Sequence, residues 1–114
     1  MSLMTDVKTL LSSVSPFIGS MPATPDNCIA LYNSGGYPRG STESKLEYPT
    51  FMVKIRNASY ATGITQGETI KDILHDYVGG KFLLVTQMGD INDIGRDESN
   101  RQEWTLNFKC IYKR

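Results

Sequence analysis

The sequence is poor in the residues that build metal sites and disulfide frameworks. Its 114 residues include only two cysteines, Cys28 and Cys110, and one histidine, His75. No CxxC pair or other zinc-binding spacing is present, so we expect no metal. Each cysteine lies in a predicted strand among apolar neighbours, which favours two reduced core thiols. A disulfide between them stays open, although a chain of this size does not need one.

Long apolar runs and an excess of charge are also missing. No stretch approaches the ~20 apolar residues of a membrane span, and no signal peptide is recognisable. We therefore expect no membrane association and production in a cytoplasm. Twelve basic residues balance twelve acidic residues, whereas a dedicated nucleic-acid binder usually carries a basic excess. Specific nucleic-acid binding is thus not expected, and a net charge near zero permits self-association.

The length and composition indicate one ordinary globular domain. Hydrophobic residues make up 39% of the chain and charged residues 21%, which is typical of a folded protein. A chain this long can bury a core without covalent staples. Met1-Ser2-Leu3 before Met4 resembles a cloning remnant, so we expect the domain to span residues 4–114.

Candidate catalytic and ligand sites are weak. A thiol site that combines Cys28 with His75 is conceivable, but no strained turn or oxyanion feature accompanies it. The stretch 90–101 fails the calcium-loop pattern, because Ile94 and Arg101 occupy ligand positions. Residues 33–40 are glycine-rich, but they lack the Gly-Lys-Ser or Gly-Lys-Thr of a phosphate-binding loop. We therefore expect neither an enzyme nor a cofactor.

Apolar periodicity divides the chain into two helices and four strands. Recurrence every three to four residues predicts helices over residues 5–15 and 59–77. Alternation or short apolar runs predict strands over residues 27–32, 49–57, 81–88 and 102–112. The order α-β-β-α-β-β predicts an α+β fold. We expect a mixed or antiparallel sheet of about four strands with both helices on one face.

The second predicted helix contains two glycines on its apolar face. Gly63 and Gly67 each cost about 1 kcal/mol relative to alanine in a helix interior. One interpretation is that they let the helix backbone approach the sheet closely. The other is that the helix begins at Thr65, where Thr65 and Glu68 fit a capping box.

The sheet face opposite the helices is expected to be uncovered. Met52, Lys54 and Arg56 would line it, so this face favours an oligomer. Residues 33–48 and 89–100 are predicted as long polar loops, and loops of this length in a compact domain are often functional.

The densest polar cluster precedes the last strand and contains Arg96, Asp97, Glu98 and Arg101. One interpretation is an internal salt-bridge network that fixes the loop. The other is a subunit contact in which arginine pairs bidentately with a neighbour's carboxylate, and the two can coexist. Tyrosine and arginine are favoured interface residues. The candidate contact residues are therefore Tyr37, Arg39, Lys54, Arg56, Arg96, Asp97, Glu98 and Arg101.

Three short segments in a fixed order carry a resemblance to a known family. They are Ala30-Leu31-Tyr32-Asn33-Ser34-Gly35-Gly36-x-Pro38, the stretch 48–56, and Gly95-Arg96-Asp97-Glu98-x-x-Arg101 leading into 104–108. Together they make the chain similar to the minor capsid, or tail terminator, family of long-tailed bacteriophages.

The resemblance implies a non-enzymatic virion protein made in the bacterial host. It implies a ring of identical subunits, expected to be a hexamer, that caps the tail tube and joins it to the head. The partners would be other copies of the chain, the tail tube and head-completion proteins, met through residues 33–48 and 89–100. Two alternatives stay open: a monomeric protein-binding module that uses an exposed strand edge, and another head-completion or tail protein.

Overall fold

A computed structural model describes residues 3–37 and 46–113 as an α+β fold. The elements are α1 (Leu3–Leu10), β1 (Phe17–Ile18), β2 (Cys28–Tyr37), β3 (Leu46–Asn57), α2 (Tyr60–Leu74), β4 (Phe82–Gln87), β5 (Asn92–Arg96) and β6 (Gln102–Lys113). A 3₁₀ turn, Ser12–Val14, follows α1. The two helices and the fold class agree with the prediction, but the sheet has six strands, and β1 and β5 were not predicted.

The last strand is central to a mixed sheet. The strand order is β1-β2-β3-β6-β4, and β5 also pairs with β6. The β1–β2 pair is parallel, whereas all other pairs are antiparallel. On one side β6 pairs with β3 along its length. On the other side β4 and β5 follow one another, because twelve residues leave room for two short strands.

The hydrophobic core lies on one face of this sheet, between the sheet and both helices. The alternation predicted for the last strand is confirmed, since Trp104, Leu106 and Phe108 are fully buried. The same cluster contains these other residues of the helices and strands: Leu3, Met4, Val7, Leu11, Ile29, Leu31, Phe51, Val53, Ile55, Ile70, Leu74, Phe82, Val85, Cys110 and Tyr112. Both helices therefore pack on the same face, and Leu3 contributes to this core.

The two glycines of α2 face the core. A Cβ atom on Gly63 would lie 2.1 Å from Cζ3 of Trp104, and one on Gly67 would lie 2.9 Å from Cδ1 of Ile91. The helix starts at Tyr60, and the Ser59 hydroxyl accepts a hydrogen bond from the Thr62 amide at 3.4 Å. Close approach of the helix backbone is thus confirmed, and a start at Thr65 is wrong.

The loop predicted over residues 33–48 is wrong at both ends. There β2 continues to Tyr37 and β3 begins at Leu46, so the two strands form an extended hairpin. A bulge between Asn33 and Gly35 accommodates the turn-forming residues, and the Asn33 side chain accepts a hydrogen bond from the Gly35 amide at 2.8 Å. Gly36 approaches the opposite strand so closely that a Cβ atom would lie 2.5 Å from the Tyr48 carbonyl oxygen.

The second predicted polar loop, residues 89–100, also contains a strand. Its central part is β5, which pairs with the first residues of β6 and has a bulge between Asp93 and Gly95. All five residues of β5 are exposed. The strand exists because β6 offers a free edge there, not because its own sequence alternates.

Candidate functional site

Among the residues that the structure describes, those that cover the sheet face opposite the helices do so at one end only. Residues 22–26, which precede β2, fold over the end of β3 that carries Arg56. Their carbonyl groups accept hydrogen bonds from Arg56, which is only 4% exposed. The expectation of a wholly uncovered face is therefore wrong at this end, because the chain supplies its own cover.

Arg56 is the residue that holds this cover in place. Its Nε donates to the Asp26 carbonyl oxygen at 3.0 Å. Its Nη2 donates to the carbonyl oxygens of Pro22 at 2.6 Å and Pro25 at 2.7 Å, with a longer contact to Ala23 at 3.4 Å. Because the Arg56 side chain is buried, its guanidinium needs such acceptors within the protein. Arg56 thus acts within the protomer, which revises its expected place on an open face.

Arg101 also binds residues 22–26. Its Nη1 donates to the Ala23 carbonyl oxygen at 2.7 Å and lies 3.3 Å from Asp26 Oδ1. Its Nε and Nη2 both lie 2.8 Å from Asp97 Oδ2. The internal salt-bridge network is therefore formed in the protomer, and it joins the cluster before β6 to the segment before β2.

Asp97 organises the turn between β5 and β6. Its Oδ1 accepts hydrogen bonds from the amides of Arg101 at 2.8 Å and Ser99 at 3.0 Å. The Arg101 amide, followed by the Arg101 side chain, holds the pKa of Asp97 below its usual value, and the hydrogen bond to Asp97 raises the pKa of Arg101. Hydrogen bonds that favour the charged form explain both directions.

The other two members of this cluster remain on the surface. Arg96 is exposed, and its Nη1 donates to the Asn100 carbonyl oxygen at 2.7 Å. Glu98 is exposed and makes no hydrogen bond or ion pair with the residues that the structure describes. The four residues of the cluster therefore divide into an internal pair, Asp97 with Arg101, and an exposed pair.

The remaining predicted contact residues lie apart from this cluster. Lys54 forms an ion pair with Glu103 across β3 and β6, at 3.6 Å. Tyr37 ends β2 and pairs with Tyr48 of β3. Arg39 lies outside the described residues. The structure thus places the seven described residues of this set at several points of the sheet and its loops instead of in one patch.

The uncovered end of this sheet face forms an apolar groove that sequence reasoning missed. The groove has a volume of about 470 Å³. It is lined by Tyr48, Leu84, Thr86, Lys109, Cys110 and Ile111. Leu84 and Ile111 occupy the positions that alternate with core residues of β4 and β6. Apolar residues at those positions were the available signal, because a solvated face would carry polar side chains there.

The cysteines and the histidine do not form a site. Cys28 lies on the face opposite the helices, whereas Cys110 belongs to the core and lies seven residues further along the sheet, roughly 23 Å away. Both are free thiols. The His75 Nδ1 accepts a hydrogen bond from the Gln87 amide at 3.1 Å, so β3 and β6 separate it from Cys28. The conceivable thiol–histidine pair and the disulfide are both ruled out.

Residues 3–37 and 46–113 contain neither a metal-binding cluster nor a membrane-spanning helix. No group of three or more His, Cys, Asp or Glu side chains lies close enough to bind a metal ion. No helix in these ranges combines the length and apolar character needed to cross a bilayer.

A comparison with known protein families gives a match over nearly the whole chain. A family model described as "Bacteriophage tail terminator protein" matches residues 2–114. No curated protein matches the chain significantly. The family is one of structural virion components, whose partners are other proteins of the phage tail and head. Because the match covers essentially the whole sequence, the chain belongs to the bacteriophage tail terminator family.

Proposed function

We propose that copies of this chain assemble into a closed ring at the head–tail junction, cap the tail tube and end its growth. The expected ring is a hexamer. Within the ring, each copy of the chain would contact its neighbouring copies. The ring would also contact the tail tube on one side and head-completion proteins on the other. Family membership supports the tail-terminating role, and the uncovered half of the sheet supports the assembly.

The apolar groove on the uncovered half of the sheet is the observation that best supports a ring. Leu84 and Ile111 are only half-buried there, although they lie on a face that the chain itself covers at the other end. Apolar surface that stays in contact with water is disfavoured by about 25 cal/mol per Å². A second protein surface on this groove would remove that cost, and in a homo-oligomer that surface belongs to another copy.

The outer strands support contacts with neighbours as well. The five residues of β5 are all exposed. At the other end of the sheet, β2 extends to Tyr37 and β3 begins at Leu46. Exposed Arg96 ends β5, and exposed Glu98 lies two residues beyond it. These groups would give the polar part of a contact, as charged residues at an interface rim do.

Two measurements test this function. Native mass spectrometry of the purified chain, alone and with purified tail tubes, is expected to show a ring. Phages that lack the gene are expected to make tails of uncontrolled length, and wild-type protein supplied in trans should restore uniform tails. Uniform tails in the absence of the protein would contradict the proposal.

A monomeric protein-binding module is the second candidate, and the exposed β5 supports it. An edge strand can add a peptide strand through main-chain hydrogen bonds. This function predicts a chain that stays monomeric on tail tubes and binds an extended segment of another protein.

A further inference from the structure

We propose that the groove of one copy receives the corner patch of the next copy, which consists of Tyr60, Asp93 and Ile94. This inference deepens the proposed ring by naming the two surfaces that meet. It commits to a second copy of the chain as the occupant of the groove.

The groove is apolar with a single charge. Tyr48, Leu84 and Ile111 are half-buried, and Lys109 is the one charged residue of the lining. Lys109 is exposed and forms no ion pair with the residues that the structure describes. An occupant that suits this lining carries an apolar side chain next to a carboxylate.

The stretch of the chain between β2 and β3 does not have that chemistry. Residues 38–45 read Pro-Arg-Gly-Ser-Thr-Glu-Ser-Lys. They contain no large apolar side chain apart from a proline. Their composition therefore gives little to bury in an apolar groove.

The corner patch has the required chemistry and a fixed geometry. Tyr60 and Ile94 are 45% and 52% exposed, which is high for large apolar side chains. The Tyr60 hydroxyl donates to Asp93 Oδ2 at 2.9 Å, and the Tyr60 ring packs edge-on against Trp104 with centroids 5.3 Å apart. Ile94 occupies the bulge of β5. A side chain held in place before binding loses less entropy when it binds.

Charge selects this patch over the other exposed apolar residues. Of the large apolar side chains exposed in the described ranges, only Ile94 directly follows a carboxylate residue in sequence. Leu83 lies two residues from Lys81 in sequence, and Lys81 has the same sign as Lys109. Phe17 lines a cavity together with Lys8. Like charges across a contact are repulsive, so these residues suit the groove less well.

The two surfaces lie at opposite ends of β6, which makes the contact heterologous. The groove is formed near Lys109–Ile111, whereas β5 pairs with Gln102–Thr105. Each copy thus offers one groove and one patch in different places. A contact of this type repeats from copy to copy and closes into a ring when its rotation allows.

Single substitutions with matched controls test the contact. Ile94→Asp and Lys109→Glu should each raise the concentration for half-assembly at least about tenfold, as loss of a central interface residue does. Val78→Asp and Lys81→Glu, which change exposed residues of the same type elsewhere, should stay within about twofold of wild type. Native mass spectrometry from about 1 µM to about 1 mM gives the assembly, and circular dichroism confirms that each variant is folded.

A mixing experiment separates a heterologous contact from a self-complementary one. The Ile94→Asp variant retains an intact groove, and the Lys109→Glu variant retains an intact patch. An equimolar mixture should therefore form heterodimers that neither variant forms alone, and no rings. Absence of the heterodimer, with wild-type rings present, would overturn the proposed contact.

The remaining outcomes distinguish this contact from the proposed function. Wild-type rings with unimpaired assembly of Ile94→Asp and Lys109→Glu would overturn the contact alone and leave the groove to residues 38–45 or to another protein. A wild-type chain that stays monomeric at all concentrations and on tail tubes would overturn the ring itself.

Discussion

Gly63 lies directly against the indole ring of Trp104. A Cβ atom added to Gly63 would lie 2.1 Å from Cζ3 and 2.2 Å from Cη2 of that ring. Trp104 is fully buried in β6. The contact sets how closely α2 approaches the sheet, because Gly63 has no side chain to hold the helix backbone away from the indole ring.

The substitution Gly63→Ala should destabilise the protein in spite of a better helix propensity. The propensity gain is about 1 kcal/mol, whereas overpacking of a buried site costs about 1–3 kcal/mol and sometimes more. Because the overlap with a fully buried ring is large, we expect the upper end of this cost and a net loss of about 2 kcal/mol in the free energy of unfolding, measured by urea titration.

A second variant identifies the cause of that loss. Phenylalanine at position 104 lacks the two ring atoms that the new methyl group would meet. In a Trp104→Phe background, Gly63→Ala should therefore cost less than in the wild type. An equal cost in both backgrounds would show that the contact with these two ring atoms is not responsible, and would point instead to Cβ of Asn57, 3.1 Å from the added atom.

The substitution Arg56→Met should release residues 22–26 and destabilise the fold. The carbonyl groups of Pro22, Pro25 and Asp26 would lose this donor, whereas that of Ala23 keeps Arg101. A lost hydrogen bond to a charged donor costs about 1.5–3 kcal/mol, and less where water can replace it. We expect a loss of about 3 kcal/mol in unfolding free energy, because water can reach part of the vacated site.

Lys54→Met is the matched control for Arg56→Met. It removes a cation two residues away on the same face, with a partly exposed ion pair at 3.6 Å. Such pairs contribute less than about 1 kcal/mol. Similar losses for the two variants would contradict the assignment of Arg56 as an internal strut.

Arg101→Glu should impair folding before it affects assembly. The new carboxylate would face Asp97 and Asp26, which now accept from Arg101. We expect a lower midpoint of thermal unfolding, followed by circular dichroism, with Lys109→Glu as a folded reference. A normal midpoint together with lost assembly would instead favour the subunit contact that the sequence left open.

Acid should weaken the fold through Asp97. Its folded pKa lies below the ordinary value of 3.8 because it accepts from the amide and side chain of Arg101. Ionised Asp97 therefore adds stability that is complete above about pH 4 and is lost as the pH falls through the lower folded pKa.

The Asp97→Asn variant tests this source of acid sensitivity. It should be less stable than wild type at pH 6, and the difference should shrink as the pH falls below 3.8. Unfolding midpoints of the variant and the wild type, measured from pH 2.5 to pH 6, check this expectation. A difference that stays constant with pH would assign the acid sensitivity to other carboxylates.

Both cysteines should be inert in the folded protein. Burial raises the pKa of Cys110 to about 12 and raises the pKa of Cys28 as well, so little thiolate forms near neutral pH. Treatment with Ellman's reagent at pH 7.5 should label neither cysteine until denaturant is added, and oxidation should give no intramolecular disulfide. Rapid labelling of one thiol in the native protein would contradict this burial.

The main elements could be predicted from local pattern, whereas the contacts that organise the site could not. The alternation around Trp104 and Phe51 correctly indicated buried strands. The strand β5 has little alternation of its own and exists because β6 has a free edge. The role of Arg56 depends on residues about thirty positions earlier in the chain. In sequence, Arg56 looks like any polar residue on the outer face of a strand.

The hairpin shows why composition misled the prediction in one region. Glycine and asparagine at 33–36 are typical of loops, but here they build a bulge within a continuous strand pair. Pairing with β3 overrides the local preference, since strand formation depends on the neighbour as much as on the residue. The groove was overlooked for a related reason, because it requires β3, β4 and β6 together.

The position of β6 has a consequence for how the molecule is made. It is the last strand in the described sequence, yet it pairs with β3, β4 and β5. Until the ribosome releases it, those three strands lack their shared neighbour, and β3 exposes an unpaired edge that can pair with other chains. A stop codon before position 102 should therefore yield aggregates or degraded fragments instead of a shortened domain, because nothing earlier in the chain can take the place of the missing strand.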